Sequence, residues 1–230
     1  MWTRSAPPAG ISTNRVLCVT HKAERDDRIP IVLYKGKVVK KTAPEALQDF
    51  HLETVLIKGG NAVDTEGNVG VITSGFDGGT IAATIGPITS TGMQYIFAVG
   101  LEKLVPSVRE AAKWVGAKTM DYSMGPNFGM YCLSNGILVT EIQALRILAA
   151  VEAKHIASGG VGGSEGAVVI AVQGGEEAVK KAIAVAEAIK GEPAISPMRG
   201  RWDDCRYDRC VHYGKKEKEL PGWLRMEGRS

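Results

Sequence analysis

Three loops carry the residue types that hold an anion. Lys58-Gly59-Gly60-Asn61 follows the short apolar run 54–57 (TVLI). Glycines let backbone N–H groups approach an anion closely, and a lysine adds a mobile positive charge. Gly75-Phe76-Asp77-Gly78-Gly79-Thr80 follows the run 69–73 (VGVIT) and opens a stretch of small residues. With that stretch helical, the N–H groups of Gly78, Gly79 and Thr80 are expected to cradle ligand oxygens, with the helix dipole behind them. Gly100-Leu101-Glu102-Lys103 lies beyond the run 94–99 (QYIFAV) and pairs a carboxylate with an ammonium. That pairing suits acid–base work or ligand charge, and equally a surface ion pair. Asp64, Glu66 and Glu102 stand close to these loops in sequence, and a general base is expected from among them. The glycine loop at 75–80 matches neither the P-loop nor the dinucleotide fingerprint, so no nucleotide or other cofactor is specified.

A second cluster lies near the C-terminus: Cys205-x4-Cys210-x-His212, with Asp203, Asp204 and Asp208 around it. Structural zinc sites usually begin with ligands two to four residues apart and need a fourth. Here Cys18 or His21 supplies it only by folding. The expectation is therefore free thiols and no metal. Cys18 and Cys132 sit in apolar runs, where a reduced cysteine behaves as a small hydrophobe. His51 and His155 have no motif around them and read as packing or surface residues.

The elements that must position these groups follow from periodicity. Residues 15–20 and 29–34 are β-branched strand segments, with Lys35-Gly36-Lys37 as a turn toward Val38 and Val39. Thr42 and Glu45 have capping-box spacing at a helix start, with Pro44 tolerated in the first turn. Residues 54–57, 69–73 and 94–99 are strands. A helix is expected over 80–85, limited by Pro87, and another begins at Ser107 with Glu110 completing its cap. Strand, glycine-rich loop and helix in alternation predict an α/β domain with a mostly parallel sheet and flanking helices over residues 14–134. From Asn135-Gly136 the pattern changes: strand 137–140, helix 141–153, strand 154–157, a glycine cluster at 159–166, strand 167–172 and helix 176–190. Gly191 and Pro193 end that helix. The order β-α-β-β-α predicts a smaller ferredoxin-like α+β part over 135–195. Residues 196–230 are expected to be an extended arm, docked where Trp202 and Trp223 touch.

Composition narrows the partners. A hydrophobic fraction of 44% allows a real core, while 28 glycines and few aromatics favour many tight turns. The formal charge of +3 is too small for a typical nucleic-acid binder, and the basic residues of 199–225 are mixed with acids. No apolar run reaches the roughly 20 residues that cross a bilayer. The polar stretch 1–13 has no apolar h-region, so a cytoplasmic location is expected.

Taken together, Leu56-Ile57-Lys58-Gly59-Gly60, Tyr95-Ile96-Phe97-Ala98-Val99 and Lys103-Leu104-Val105 resemble ribose-5-phosphate isomerase. More broadly they look like the superfamily joining phosphosugar isomerases with coenzyme A transferases. The resemblance spans about residues 54–106 and implies ligand contact at Lys58, Gly59, Gly60 and Lys103. It also implies a ferredoxin-like small domain. Residues 139–174 are similar to bacterial microcompartment shell domains and to small-molecule-sensing domains of β-α-β-β-α type. In such an assembly the loop from Gly159 to Gly166, with Ser164 and Glu165, lines a pore or a ligand cleft.

These features predict a protein that binds a small anion: a phosphosugar, an acyl-coenzyme A or a carboxylate. It is expected to form a homo-oligomer and to bind neither nucleic acid nor membrane. An isomerase-like enzyme is the catalytic form of this expectation. Its alternative is a non-catalytic sensing or scaffold protein assembling through residues 135–195.

Overall fold

The computed structural model describes residues 10–13, 16–19, 31–49, 51–190 and 202–225. Two short antiparallel hairpins come first: β1 (Gly10–Thr13) with β2 (Val16–Val19), and β3 (Val32–Tyr34) with β4 (Lys37–Val39). The second turns at Lys35 and Gly36, both at positive φ, as a two-residue hairpin turn requires. In α1 (Ala43–Gln48) the capping box forms as its spacing predicts, Thr42 N–H donating to the Glu45 carboxylate at 2.7 Å. The expected strand ends at Arg15, Thr20, Ile29 and Pro30 lie outside the described residues, as do His21 and the helix stop at Gly191 and Pro193.

The chain continues through β5 (Val55–Gly59), β6 (Ala62–Val63), β7 (Val69–Thr73), α2 (Gly79–Thr91) and β8 (Gln94–Ala98). A 3-10 turn (Leu101–Lys103), α3 (Val108–Lys113), β9 (Gly129–Leu133) and β10 (Ile137–Val139) follow. Then come α4 (Glu141–Ala149), β11 (Glu152–Ser158), β12 (Val168–Gln173) and α5 (Glu176–Lys190). The α/β class holds: β10, β8 and β5 form a three-stranded parallel sheet in that order. This sheet is smaller than an alternating pattern implies, because β7 pairs antiparallel with β6 and β9 instead. The short 64–68 turn joins β6 directly to β7, and a tight connection permits only antiparallel neighbours. Both sheets and α2 enclose the main core of Val63, Val69, Ile81, Ile88, Tyr95 and Phe97.

Two helix limits differ from expectation. α2 runs through Pro87 to Thr91, where Ser90 Oγ and Thr91 Oγ1 both donate to the Pro87 carbonyl. Ile81 and Ile88 on its inner face are buried in the main core, and this packing outweighs the lost N–H of Pro87. α4 stops at Ala149 rather than 153, because Ala150 takes the left-handed conformation (φ 55°) and turns the buried Val151 into β11.

Across the expected boundary at 134 and 135, β10 joins the sheet of β5 and β8. β11 and β12 pair with each other, and α4 and α5 pack with them around Ala149, Val151 and Ala182. Residues 202–225 form turns and two 3-10 segments (Glu217–Glu219, Gly222–Leu224). Here Trp202, Cys210, Leu220 and Leu224 bury themselves with Val16 and Cys18 of β2. No helix among the described residues is long and apolar enough to cross a membrane.

Candidate anion site

In open α/β sheets, ligands collect beyond the carboxyl ends of parallel strands. At the end of β5, Lys58 shares a sheet face with Leu56, since alternate residues point to the same side. Its register partner on β8 is the buried Phe97, and Leu138 of β10 stands opposite Phe97 in turn. The Lys58 ammonium is thus half-buried beside the main core, and no ion pair or hydrogen bond links it to another described residue. Desolvation holds its pKa below the usual lysine value.

The following glycines differ in role. A Cβ on Gly60 would meet Val69 Cγ1 at 2.6 Å and Val99 Cγ2 at 3.0 Å, so Gly60 is required by packing. Gly59 is open, its nearest neighbour the Ala98 carbonyl at 3.8 Å. Asn61 is bound to β7: its N–H donates to Gly70 O, and its side-chain oxygen accepts the Ile72 N–H at 2.9 Å.

Beyond β8, the Leu101 N–H donates to both Glu141 oxygens, at 2.9 and 3.2 Å. Glu141 opens α4 directly after β10, so one carboxylate ties two strand ends together. Glu102 folds over Gly100 and pairs with Lys103 at 3.3 Å; both side chains are partly exposed. Gly166, from the β11–β12 connection, comes close to Glu102. Part of the glycine cluster therefore reaches the same edge.

The loop before α2 is more self-satisfied than its sequence implies. Gly78 N–H donates to Gly75 O at 3.0 Å, and Gly79 N–H to Asp77 Oδ1 at 3.1 Å. Thr80 lies in the first turn of α2, where backbone N–H groups have no intrahelical acceptor. Gly78 has φ 71°, and a Cβ there would strike the Tyr131 hydroxyl. Ser74 Oγ lies 2.8 Å from Tyr207 Oη, which also accepts a hydrogen bond from Arg206 at 3.0 Å. α2 turns into β8 through Gly92 and Met93 and packs on the same core, so it runs against β8 and presents its N-terminus toward the strand's carboxyl end.

Asp64 follows Val63, which bridges to Leu104 just beyond the 3-10 turn, but its carboxylate is taken up by the scaffold. It is buried, and its two oxygens accept from Glu66 N–H, Asn68 N–H, Asn68 Nδ2 and Val108 N–H. Burial raises its pKa, but these bonds outweigh burial and hold it below the usual carboxylate value. This is the bonding of a structural carboxylate that seats the first turn of α3. Glu66 is exposed and accepts weakly from Asn68 Nδ2 at 3.3 Å.

The structure thus places Lys58 and Gly59 at the end of β5, Glu102 and Lys103 in the turn beyond β8 and Thr80 in the first turn of α2, and uses Asp64, Gly60 and Asn61 to build the scaffold. Local sequence did not point to Glu141, Tyr131, Arg206 or Tyr207. Only Glu141 carried a signal, as the residue after the capping Thr140. The chain matches no protein-family model, no curated protein and no solved structure.

Proposed function

We propose that this protein binds a small anionic molecule (a phosphosugar, an acyl-coenzyme A or a carboxylate) at the carboxyl ends of β5, β8 and β10. The half-buried Lys58 ammonium without an anionic partner among the described residues carries this conclusion. A charge removed from water without a partner is unfavourable, and a bound anion supplies the missing compensation. Lys103 adds charge once Glu102 is displaced, and the Thr80 N–H adds a donor. If the bound ligand is turned over, Glu102 is the acid placed to act as base, because Asp64 is already fully engaged. A ferredoxin-like second part rests on the β-α-β-β-α order from β10 to α5 alone, since β10 pairs with β8 and not with β11 or β12.

Replacing Lys58 with alanine is expected to weaken binding by at least about 1 kcal/mol, the scale of a charged hydrogen bond. Titration calorimetry with the bound class reads this, and unchanged affinity overturns the assignment.

The alternative function, an oligomeric sensing or scaffold protein assembling through residues 135–195, is supported by apolar surface. Ile137 of this part (53% exposed) lies on the outer face of the parallel sheet, beside Ile57 of β5 (68% exposed), although such sheets are normally covered on both faces. Ligand-free turnover assays do not separate the two functions. Turnover of an identified ligand does.

A further inference from the structure

We propose that His212 is an acid-operated latch: protonating its imidazole releases the C-terminal arm, residues 202–225, from β2. The arm has little regular structure, only turns and two 3-10 segments. Its place depends on a small core in which Trp202, Cys210, Leu220 and Leu224 pack with Val16 and Cys18 of β2. Elsewhere it is tied by single bonds: Val211 N–H to Ser123 O at 2.9 Å, Arg209 to Met120 O at 3.0 Å, and Tyr207 Oη with Ser74 Oγ at 2.8 Å. A segment held in this way can open locally while the rest of the protein stays folded.

His212 stands beside this core in surroundings that suit only the neutral ring. It is 4% exposed, and neither ring nitrogen has a hydrogen-bond partner. Trp202 and Trp223 lie edge-on to it, each with ring centroids 6.0 Å away. An indole has an N–H donor and a ring face but no acceptor lone pair. The neutral imidazole leaves one donor and one acceptor idle. The charged imidazole leaves two donors and a full charge out of water, which is far less favourable. An indole face does attract a cation, but burial outweighs that attraction and holds the ring below the ordinary histidine value of 6.5.

The neighbouring groups do not offset this. Lys215, three residues on, brings a like charge and lowers the value further. The Cys210 thiol is pushed up by burial, so it is uncharged in acid, as is Cys18 from β2. Of the carboxylates on the surrounding turns, Asp203, Asp204 and Asp208 are exposed, and Glu219 accepts the Lys216 N–H at 2.7 Å. Neither these nor Glu217 is among the groups that shift the ring. Arg225 is turned to Leu220 O at 2.8 Å and Arg206 to Tyr207 Oη at 3.0 Å. The released arm therefore binds the proton more tightly than the docked one. Docking is complete above 6.5 and weakens as pH falls from there to the docked value of His212.

The test is fluorine NMR of the full chain labelled with fluorotryptophan, titrated from about pH 8 to about pH 5, the range in which histidine changes charge. Single Trp→Phe substitutions assign the four signals. Trp202 and Trp223 are expected to move together to the position of an exposed indole, with one midpoint below 6.5. The signal of Trp114, already 84% exposed, should stay in place, and circular dichroism should not change. His212→Phe keeps a ring in the core that has no proton to gain, and should hold both signals at their buried positions throughout. Buried positions for Trp202 and Trp223 across the parent titration overturn the proposal. Release of His212→Phe at the parent midpoint overturns it too, and assigns the transition to the carboxylates. The His212 imidazole resonance in the parent decides the matter if the variant arm does not dock. Its midpoint must coincide with the tryptophan movement, and separate midpoints contradict a latch.

Discussion

Replacing Lys58 with methionine keeps the volume beside Phe97 and removes the ammonium, so its effect isolates the charge. Because burial depresses the folded pKa of Lys58 below its unfolded value of 10.5, the unfolded chain binds the proton more tightly. Stability therefore rises with pH between the two values, and below that window the buried charge weighs against folding. Lys58→Met is expected to raise the urea midpoint at pH 7. The gain should shrink to nothing as pH climbs through the window, while anion binding is lost. Asp64 shows the opposite sign. Its folded pKa lies below the unfolded value of 3.8, so its contribution is complete above that value and is lost as pH falls through the folded one. Asp64→Ala leaves Val108 N–H and Asn68 without their acceptor and should cost roughly 2–4 kcal/mol in denaturant unfolding.

Adjacent glycines at the end of β5 should respond differently. Gly60→Ala forces a methyl into Val69 and Val99 and should destabilise by about 1–3 kcal/mol, whereas Gly59→Ala meets open space and should leave the unfolding midpoint nearly unchanged. Equal effects at both positions would contradict the packing described for this turn. Elements with strong local signals were legible in the sequence. The caps at Thr42 and Ser107, the runs that became β5, β7 and β8, and the full length of α5 all follow from spacing. What was not legible depended on distant partners. Pro87 sits inside α2 because the inner face of that helix is fixed by the core, and β7 turns antiparallel because Asp64 and Asn68 close the turn before it. At the site, Lys58 and the strand-end position were readable from a buried strand ending in Lys-Gly-Gly. Tyr207, from far along the chain, gave no local sign of reaching Ser74.

For the whole molecule, exposed apolar surface and open strand edges bear on assembly. Among the described residues β11 and β12 pair only with each other, with Ile156 and Val169 exposed. Unpaired edges of this kind recruit further strands. If residues 135–195 assemble the protein, sedimentation equilibrium should give a mass above that of one chain. Ile137→Lys with Ile156→Lys should then return it to the monomer, and an unaltered mass in that double variant contradicts assembly through this part.

Anion binding at the strand ends is tested most directly by thermal unfolding across phosphosugars, coenzyme A derivatives and small carboxylates, with Lys58→Ala beside the parent chain. A ligand at one hundred times its dissociation constant stabilises by about 2.7 kcal/mol. The expected result is a clear rise in Tm for one chemical class, lost in Lys58→Ala. No shift with any class in a folded protein, or an equal shift in both chains, contradicts the site.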